Sequence, residues 1–245
     1  MEYLNRIYNA DCMTGMSVYP DKSIDMILCD LPYGVTDCGW DKQLDLELLW
    51  REYKRIIKDN GAIVLTAAQP FTTELIDSNR RMFRYCWYWK KNMATGFTFA
   101  KFQPLRCVED ICVFYKKAPT YNPQGIIHHD KPIISRGKKE NSDTIYHTDT
   151  LTKTTERYIT NYPKNVLTVK CERGLHPTQK PVALFEYLIK TYTNKGDIVL
   201  DNCMGSGTTA IACIRTGRNF TGFEADRGYY MKAQERIVNE LKSKI

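Results

Sequence analysis

Apolar positions along this chain switch between two periods. From Ser23 to Cys29 they alternate and then run together as Ile24, Met26, Ile27 and Leu28, the pattern of a buried strand that ends at Asp30. Leu46, Leu49, Trp50, Tyr53, Ile56 and Ile57 then recur at helical spacing. Asn60-Gly61 is expected to close that helix before a second short apolar run, Ala62 to Thr66. A helix over Phe71 to Asn79 and strands at Phe83 to Trp89 and Ile111 to Tyr115 follow.

Between about 118 and 171 the periodicity is lost. Pro119, Pro123, Pro132 and Pro163 stand among many Thr, Asn, Lys and His residues, so the stretch reads as an inserted, loop-rich segment. Regularity resumes with a helix from Val182 to Tyr192, a strand from Asp197 to Leu200, a glycine turn at Gly205 to Gly207, a helix from Thr208 to Thr216, a strand from Asn219 to Glu224 and a closing helix from about Tyr229. Alternating strands and helices predict an α/β fold: a doubly wound, mostly parallel sheet in a single catalytic domain spanning 1–245.

Composition narrows the class without choosing within it. The apolar runs stop well short of the roughly 18 residues of a membrane span, so no membrane role is expected. The N-terminal Met-Glu-Tyr-Leu-Asn-Arg carries no export signal, which makes the cytoplasm the expected location. Nine cysteines, an odd number without a C-x-x-C pair, read as free thiols. His128 and His129 are adjacent and have no partner at ligand spacing, so no metal site is expected.

The net charge of +7 matters for where it lies. Between Arg80 and Lys117 nine bases face two acids, Glu109 and Asp110, and Phe83, Tyr85, Trp87, Tyr88, Trp89, Phe97, Phe99 and Phe102 are interleaved with them. Such a mixture suits phosphate contact and base stacking. It reads equally well as a solvated basic face beside a core strand.

Two short motifs carry the candidate chemistry. In Asp201-Asn202-Cys203-Met204-Gly205-Ser206-Gly207-Thr208-Thr209-Ala210 a glycine turn lies between a strand and a helix, where backbone N–H groups can approach an adenosine-bearing cofactor. Glu224, ending the next strand, is placed to accept hydrogen bonds from ribose hydroxyls. Thr208 stands where a phosphate-binding loop needs Lys, which disfavours triphosphate hydrolysis. A dinucleotide survives on pattern, since Ala210 fits, but Asp201 would sit unfavourably beside a pyrophosphate and well beside a cationic sulfonium or ammonium group.

The second motif, Asp30-Leu31-Pro32-Tyr33-Gly34, follows a buried strand directly and places Asp30 at the carboxyl edge of the sheet. An exocyclic amino nitrogen is a poor nucleophile because its lone pair is delocalised into the ring. A carboxylate and the Leu31 carbonyl accepting its two hydrogens would return density to nitrogen, Tyr33 would stack on the base, and Pro32 would hold the turn in shape.

These residues resemble the amino-methylating DNA methyltransferases, whose catalytic motif is Asp/Asn/Ser-Pro-Pro-Tyr/Phe/Trp and whose cofactor loop is D-x-x-x-G-x-G-T. The catalytic motif comes first and the cofactor motif last, like the permuted β group of that family. His176-Pro177-Thr178-Gln179-Lys180-Pro181 looks like its H-P-x-x-K-P signature, and Asp11-Cys12 like its G-D-C segment. The resemblance implies a Rossmann-like methyltransferase fold with S-adenosyl-L-methionine as cofactor. It implies that the cofactor is surrounded by Asp11, Cys12, His176, Thr178, Gln179, Lys180, Asp201, Met204, Gly205, Ser206, Gly207, Thr208, Thr209 and Glu224. It implies Asp30, Leu31, Pro32 and Tyr33 as the catalytic group, and a target-recognition role for the insert at about 118–171. Leu31 departs from the family's first Pro, so a less constrained catalytic loop is expected.

The implied reaction is methylation of adenine N6 in double-stranded DNA, with base flipping and direct in-line attack. Cytosine N4 is the alternative target; an RNA adenine methyltransferase and a catalytically silent DNA-binding subunit are the other readings. A homodimer and a cognate restriction endonuclease are the implied protein partners.

Overall fold

The computed structural model describes residues 3–34, 42–135, 154–172 and 179–243. In chain order its strands are β1 (Arg6–Tyr8), β2 (Ile24–Asp30), β3 (Ile57–Ala67), β4 (Phe83–Thr95), β5 (Arg106–Phe114), β6 (Ile127–Ser135), β7 (Thr155–Thr160), β8 (Val166–Thr168), β9 (Ile198–Asp201) and β10 (Asn219–Phe223). Its α-helices are α1 (Cys12–Gly15), α2 (Leu46–Ile56), α3 (Phe71–Ser78), α4 (Val182–Tyr192), α5 (Thr208–Thr216) and α6 (Arg227–Lys242).

Eight strands form one sheet in the order β1-β10-β9-β2-β3-β5-β4-β8. Among the described strands of this sheet, β5 alone runs against its neighbours β3 and β4. The chain moves outward from β2 to β3 through α2, and outward the other way from β9 to β10 through α5. Neighbours β2 and β9 are therefore the place where the winding reverses, and ligands bind outside the carboxyl ends of such a pair.

Strand alternation supplies two cores. Met26, Leu28, Val64, Val113 and Val199 point to the face covered by α4, α5 and α6, where Leu188, Ile211 and Ala233 are buried. Ile27, Cys29, Ile63, Leu65 and Leu200 point to the face covered by α2 and α3, against Trp50, Tyr53 and Phe71. Because β2, β3 and β9 are covered on both faces, they read as near-continuous apolar runs. Each such Leu or Ile removed from water contributes about 2 kcal/mol.

Four elements, α2, β3, β4 and β5, have bounds that differ from the sequence expectation. Helix α2 ends at Ile56 and the backbone passes directly into β3, so Asn60-Gly61 does not close the helix. The β2–β3 register jumps from Ile24↔Ile57 to Met26↔Ala62, and residues 58–61 bulge between these pairs. A Cβ on Gly61 would lie 2.7 Å from the Asp25 carbonyl oxygen, so this glycine serves a close approach of two strands. Strands β4 and β5 run to Thr95 and from Arg106, well beyond the apolar runs that announced them.

The expected insert also contains regular structure. The chain packs as two compact units, Met1–Asn122 with Asn165–Ile245, and Pro123–Lys164. The smaller unit holds the antiparallel pair β6–β7, with Ile127 opposite Thr160 and His129 Nε2 2.7 Å from the Thr160 hydroxyl. Val166–Thr168, at the end of the stretch that read as loop, is strand β8 of the main sheet, paired with Tyr88–Lys90. Among the described residues no helix is long and apolar enough to cross a membrane.

Candidate active site

Asp30 ends β2 opposite Thr66 of β3, and among the described residues its carboxylate gathers three donors. The Thr66 hydroxyl and the Tyr33 hydroxyl (2.9 Å) donate to Oδ1, and the Lys180 ammonium donates to Oδ2 at 2.7 Å. A carboxylate has about four lone-pair sites, so Oδ2 keeps capacity for one more N–H. The Tyr33 ring is stacked on Phe71, centroids 5.1 Å apart, and burial pushes its phenol well above the ordinary range. Leu31, standing where the family pattern has its first proline, is 3% exposed and packed in the α2–α3 core, so side-chain burial anchors the turn that ring closure would otherwise stiffen.

Lys180 ties this corner together. It is buried, and on its other side lies Glu109 Oε2 at 3.4 Å; Glu109 in turn receives Lys91 at 2.7 Å. Burial alone would lower the Lys180 pKa, but Asp30 and Glu109 outweigh it and the ammonium is held above its usual range. Burial would likewise raise Glu109, yet Lys180 and Lys91 hold that carboxyl below the ordinary value. Sequence reasoning missed Glu109. The available signal was that it is one of two acids in the strongly basic stretch from Arg80 to Lys117.

The glycine loop leaves β9 beside this corner. Asp201, 3% exposed, accepts the Cys203 N–H at 3.0 Å and the Thr209 hydroxyl at 2.5 Å, clamping both ends of the turn. Burial pushes its carboxyl up to about 6 in spite of these donors. At the end of β10, Glu224 accepts the Gly205 N–H at 2.7 Å and the Asp226 N–H at 2.8 Å, which fixes the carboxylate at the rim. Burial raises its pKa. Asp11 caps α1 by accepting the Thr14 N–H at 2.9 Å. Beneath the loop Asn202 is buried, accepts the Tyr53 hydroxyl and approaches the Cys12 and Cys203 thiols at 3.5 Å, a support no motif announced.

One cavity of about 800 Å³ joins these parts. Asp11, Cys12, Asp30, Leu31, Pro32, Tyr33, Gln179, Lys180, Asp201, Met204, Gly205, Ser206, Thr208 and Glu224 all line it, so most of the expected residues converge. Gly207 and Thr209 are not in the wall. Gly207 adopts φ 85° and abuts Ala233 of α6, while Thr209 is fully buried against Asp201. His176 and Thr178 lie outside the described residues.

The lining decides between the ligands that the glycine turn left open. Among the described residues its acids are Asp11, Asp30, Glu109, Asp201, Glu224 and Asp226, against Lys42 and Lys180. Such a wall repels a pyrophosphate and suits an adenosine carrying a sulfonium and an ammonium group. Among the described residues no cluster of His, Cys, Asp and Glu could hold a metal ion.

A family model for DNA methylases matches residues 24–235. The chain belongs to that family. Two curated relatives are similar to the methylase over nearly its full length. Type II methyltransferase M2.MboI of Moraxella bovis is 26% identical over 98% of this chain and 92% of its own. M2.DpnII of Streptococcus pneumoniae is 26% identical over 96% and 90%. Among solved structures, the M1.HpyAVI–SAM complex is 26% identical, with a TM-score of 0.62 over 95% of this chain and 98% of that one. The cytosine-N4-specific PvuII DNA methyltransferase, at 16% identity and a TM-score of 0.69 over 96% and 90%, shares the fold. The methylase is thus a DNA methyltransferase with a Rossmann-like fold, and its methyl donor is S-adenosylmethionine, for which the acidic cavity has the volume and the charge.

Proposed function

We propose that the protein methylates adenine at N6 in double-stranded DNA, at a specific site, by direct transfer to a flipped base. The observation that carries this reading is the placement of Asp30. Its carboxylate opens on the cavity formed by the cofactor loop, because the catalytic turn and that loop leave the neighbouring strands β2 and β9.

S-adenosylmethionine supplies an electrophilic methyl group and departs as a neutral thioether. The protein's task is to make an amide-like nitrogen attack it. Asp30 Oδ2 and the Leu31 carbonyl accept the two amino hydrogens and draw density back onto nitrogen as the N–C bond forms and the C–S bond breaks. One amino proton then leaves by way of those acceptors. Tyr33 offers its ring to the base once it turns away from Phe71, with Pro32 holding the turn between them. Asp201 and Glu224 are assigned the cationic and ribose parts of the donor, with Asp11 and Cys12 toward adenine.

Aspartate as first residue of the catalytic turn favours adenine, since cytosine-N4 enzymes of this kind more often carry Ser there. The motif order and the Pro123–Lys164 unit support a β-group enzyme acting on duplex DNA, with that unit reading the sequence. The type II relatives support a place in a restriction-modification system; a partner endonuclease and a homodimeric state are carried over from the resemblance to the β group alone.

Nucleoside mass spectrometry of unmethylated DNA incubated with the protein and labelled S-adenosylmethionine tests the reading, with Asp30→Ala as control. Label in N6-methyladenine, lost in the variant, is the expected result. Label in N4-methylcytosine would keep the geometry and change the base. Cofactor binding without transfer to any DNA would overturn the proposal.

A further inference from the structure

The basic and aromatic stretch from Arg80 to Lys117 divides into two parts. Its first aromatics belong to the sheet, with Trp87 and Trp89 each 3% exposed. Its second group does not. Phe97 is 80% exposed, Phe99 55% and Phe102 85%, and Met93, Leu105 and Val108 are exposed around them.

Topology says where this group lies. The last β3–β5 pair is Ala67↔Asp110, and β8 accompanies β4 only as far as Lys90. Beyond those pairs β4 and β5 continue as a two-stranded ribbon, with Thr95 opposite Arg106 and Phe97–Phe99 as a 3₁₀ turn at its end. Ala67 follows Thr66, the partner of Asp30, so the ribbon projects from the same edge of the sheet as the catalytic turn. Its root is Glu109, which meets Lys180. Arg106 is three residues further out, about 10 Å along an extended strand.

The charge on this ribbon is of one sign. From Lys90 to Val108 there are Lys90, Lys91, Lys101 and Arg106 and no acid. Lys91 is used by Glu109, while Lys90, Lys101 and Arg106 are exposed. A solvated face has no use for three exposed phenylalanines, and a purely apolar partner has none for the cations. A nucleic acid duplex answers both, with phosphates outside and a base stack that accepts an apolar wedge.

We propose that the β4–β5 ribbon is a wedge for duplex DNA, with Lys90, Lys101 and Arg106 on the backbone and the Phe97, Phe99 and Phe102 tip entering the stack beside the target base. The inference rests on the reading of the protein as a DNA methyltransferase that flips its target. The wedge fills the space that the extruded base leaves and so offsets the unstacking.

The test separates this role from catalysis. Once the modified site has been mapped on unmethylated genomic DNA with the wild-type protein, two oligonucleotide duplexes carrying it are compared. One has the target base paired; the other has an abasic residue opposite it. The Phe97→Ala, Phe99→Ala, Phe102→Ala triple variant and Phe102→Ala alone are assayed on both. The expected result is at least about a tenfold slower methylation of the paired duplex, largely restored on the unpaired one, with unchanged melting temperature and cofactor affinity. Unchanged rates on the paired duplex, or an equal loss on both, overturn the wedge. So does dissociation of a dimer in sedimentation with the rates preserved, which would make the tip a contact between copies. Failure of the wild-type protein to methylate any DNA instead removes the functional reading on which the wedge rests.

Discussion

Lys180 donates to Asp30 across 150 positions of sequence, at 2.7 Å, and so joins the last turn before α4 to the end of β2. Removing one partner of a buried pair leaves charge uncompensated. Lys180→Met is expected to destabilise the protein by about 3 kcal/mol and to slow methyl transfer at saturating substrates. Adding Glu109→Gln should recover part of the stability and none of the rate, read by denaturant unfolding and single-turnover kinetics. The carboxyl of Glu109 is held low, so its stabilising contribution is present above the ordinary carboxylate range and is lost as pH falls through the depressed value.

Asp201 behaves in the opposite sense. Its carboxyl is raised from 3.8 to about 6, so the folded state takes up a proton more readily than the unfolded chain. This group favours folding at low pH, and its contribution falls as pH rises from near 4 to about 6, with no further change above. A cationic ligand prefers the ionised form, so affinity for S-adenosylmethionine should rise over the same interval by roughly tenfold or more. Glu224 is raised too, so the informative quantity is the difference between wild type and Asp201→Asn, in thermal melts without ligand and in calorimetric binding. A pH dependence that survives the substitution would assign it elsewhere.

The two loop glycines should differ in their tolerance of a methyl group. Gly205→Ala has open space and meets only its positive φ of 54°, whereas Gly207→Ala adds to a φ of 85° a contact 3.1 Å from the Ala233 Cβ. The expected losses are about 1 kcal/mol and about 2–3 kcal/mol, measured by urea unfolding.

The thiols should prove dispensable. Hydrogen bonding to Cys203 and burial push Cys12 far up, and burial does the same to Cys29. Cys203→Ala is expected to keep methyl transfer within a few-fold of wild type. Among the described cysteines, mild alkylation should label Cys107 first, since it is the exposed one.

Much of this was legible in the sequence, for identifiable reasons. Strands β2 and β9 are covered on both faces, so Ile24–Leu28 and Ile198–Leu200 announce themselves as apolar runs, and a chemically distinctive turn follows each. Strands β1 and β8, three residues each, are held by backbone pairing at the sheet edges and leave no periodic trace. Asn60-Gly61 carried the signature of a helix end, but the glycine answers to the Asp25 carbonyl of another strand, which local pattern cannot register. Glu109 was hidden for the same reason. Its partners come from β4 and from the segment before α4, and only the folded sheet brings them to one place.

The row Asp30, Lys180, Glu109 and Lys91 alternates in sign and sums to zero. A neutral base can enter such a corner without disturbing its electrical balance, but the corner exerts no long-range pull on a polyanion. Capture of DNA then falls to the outlying cations, which mobile ions screen within about 10 Å at 0.1 M salt. Raising ionic strength should therefore weaken the grip on DNA while leaving the rate of the bound complex nearly untouched. Encounter and chemistry answer to different solution conditions because they are built from separately balanced sets of charges.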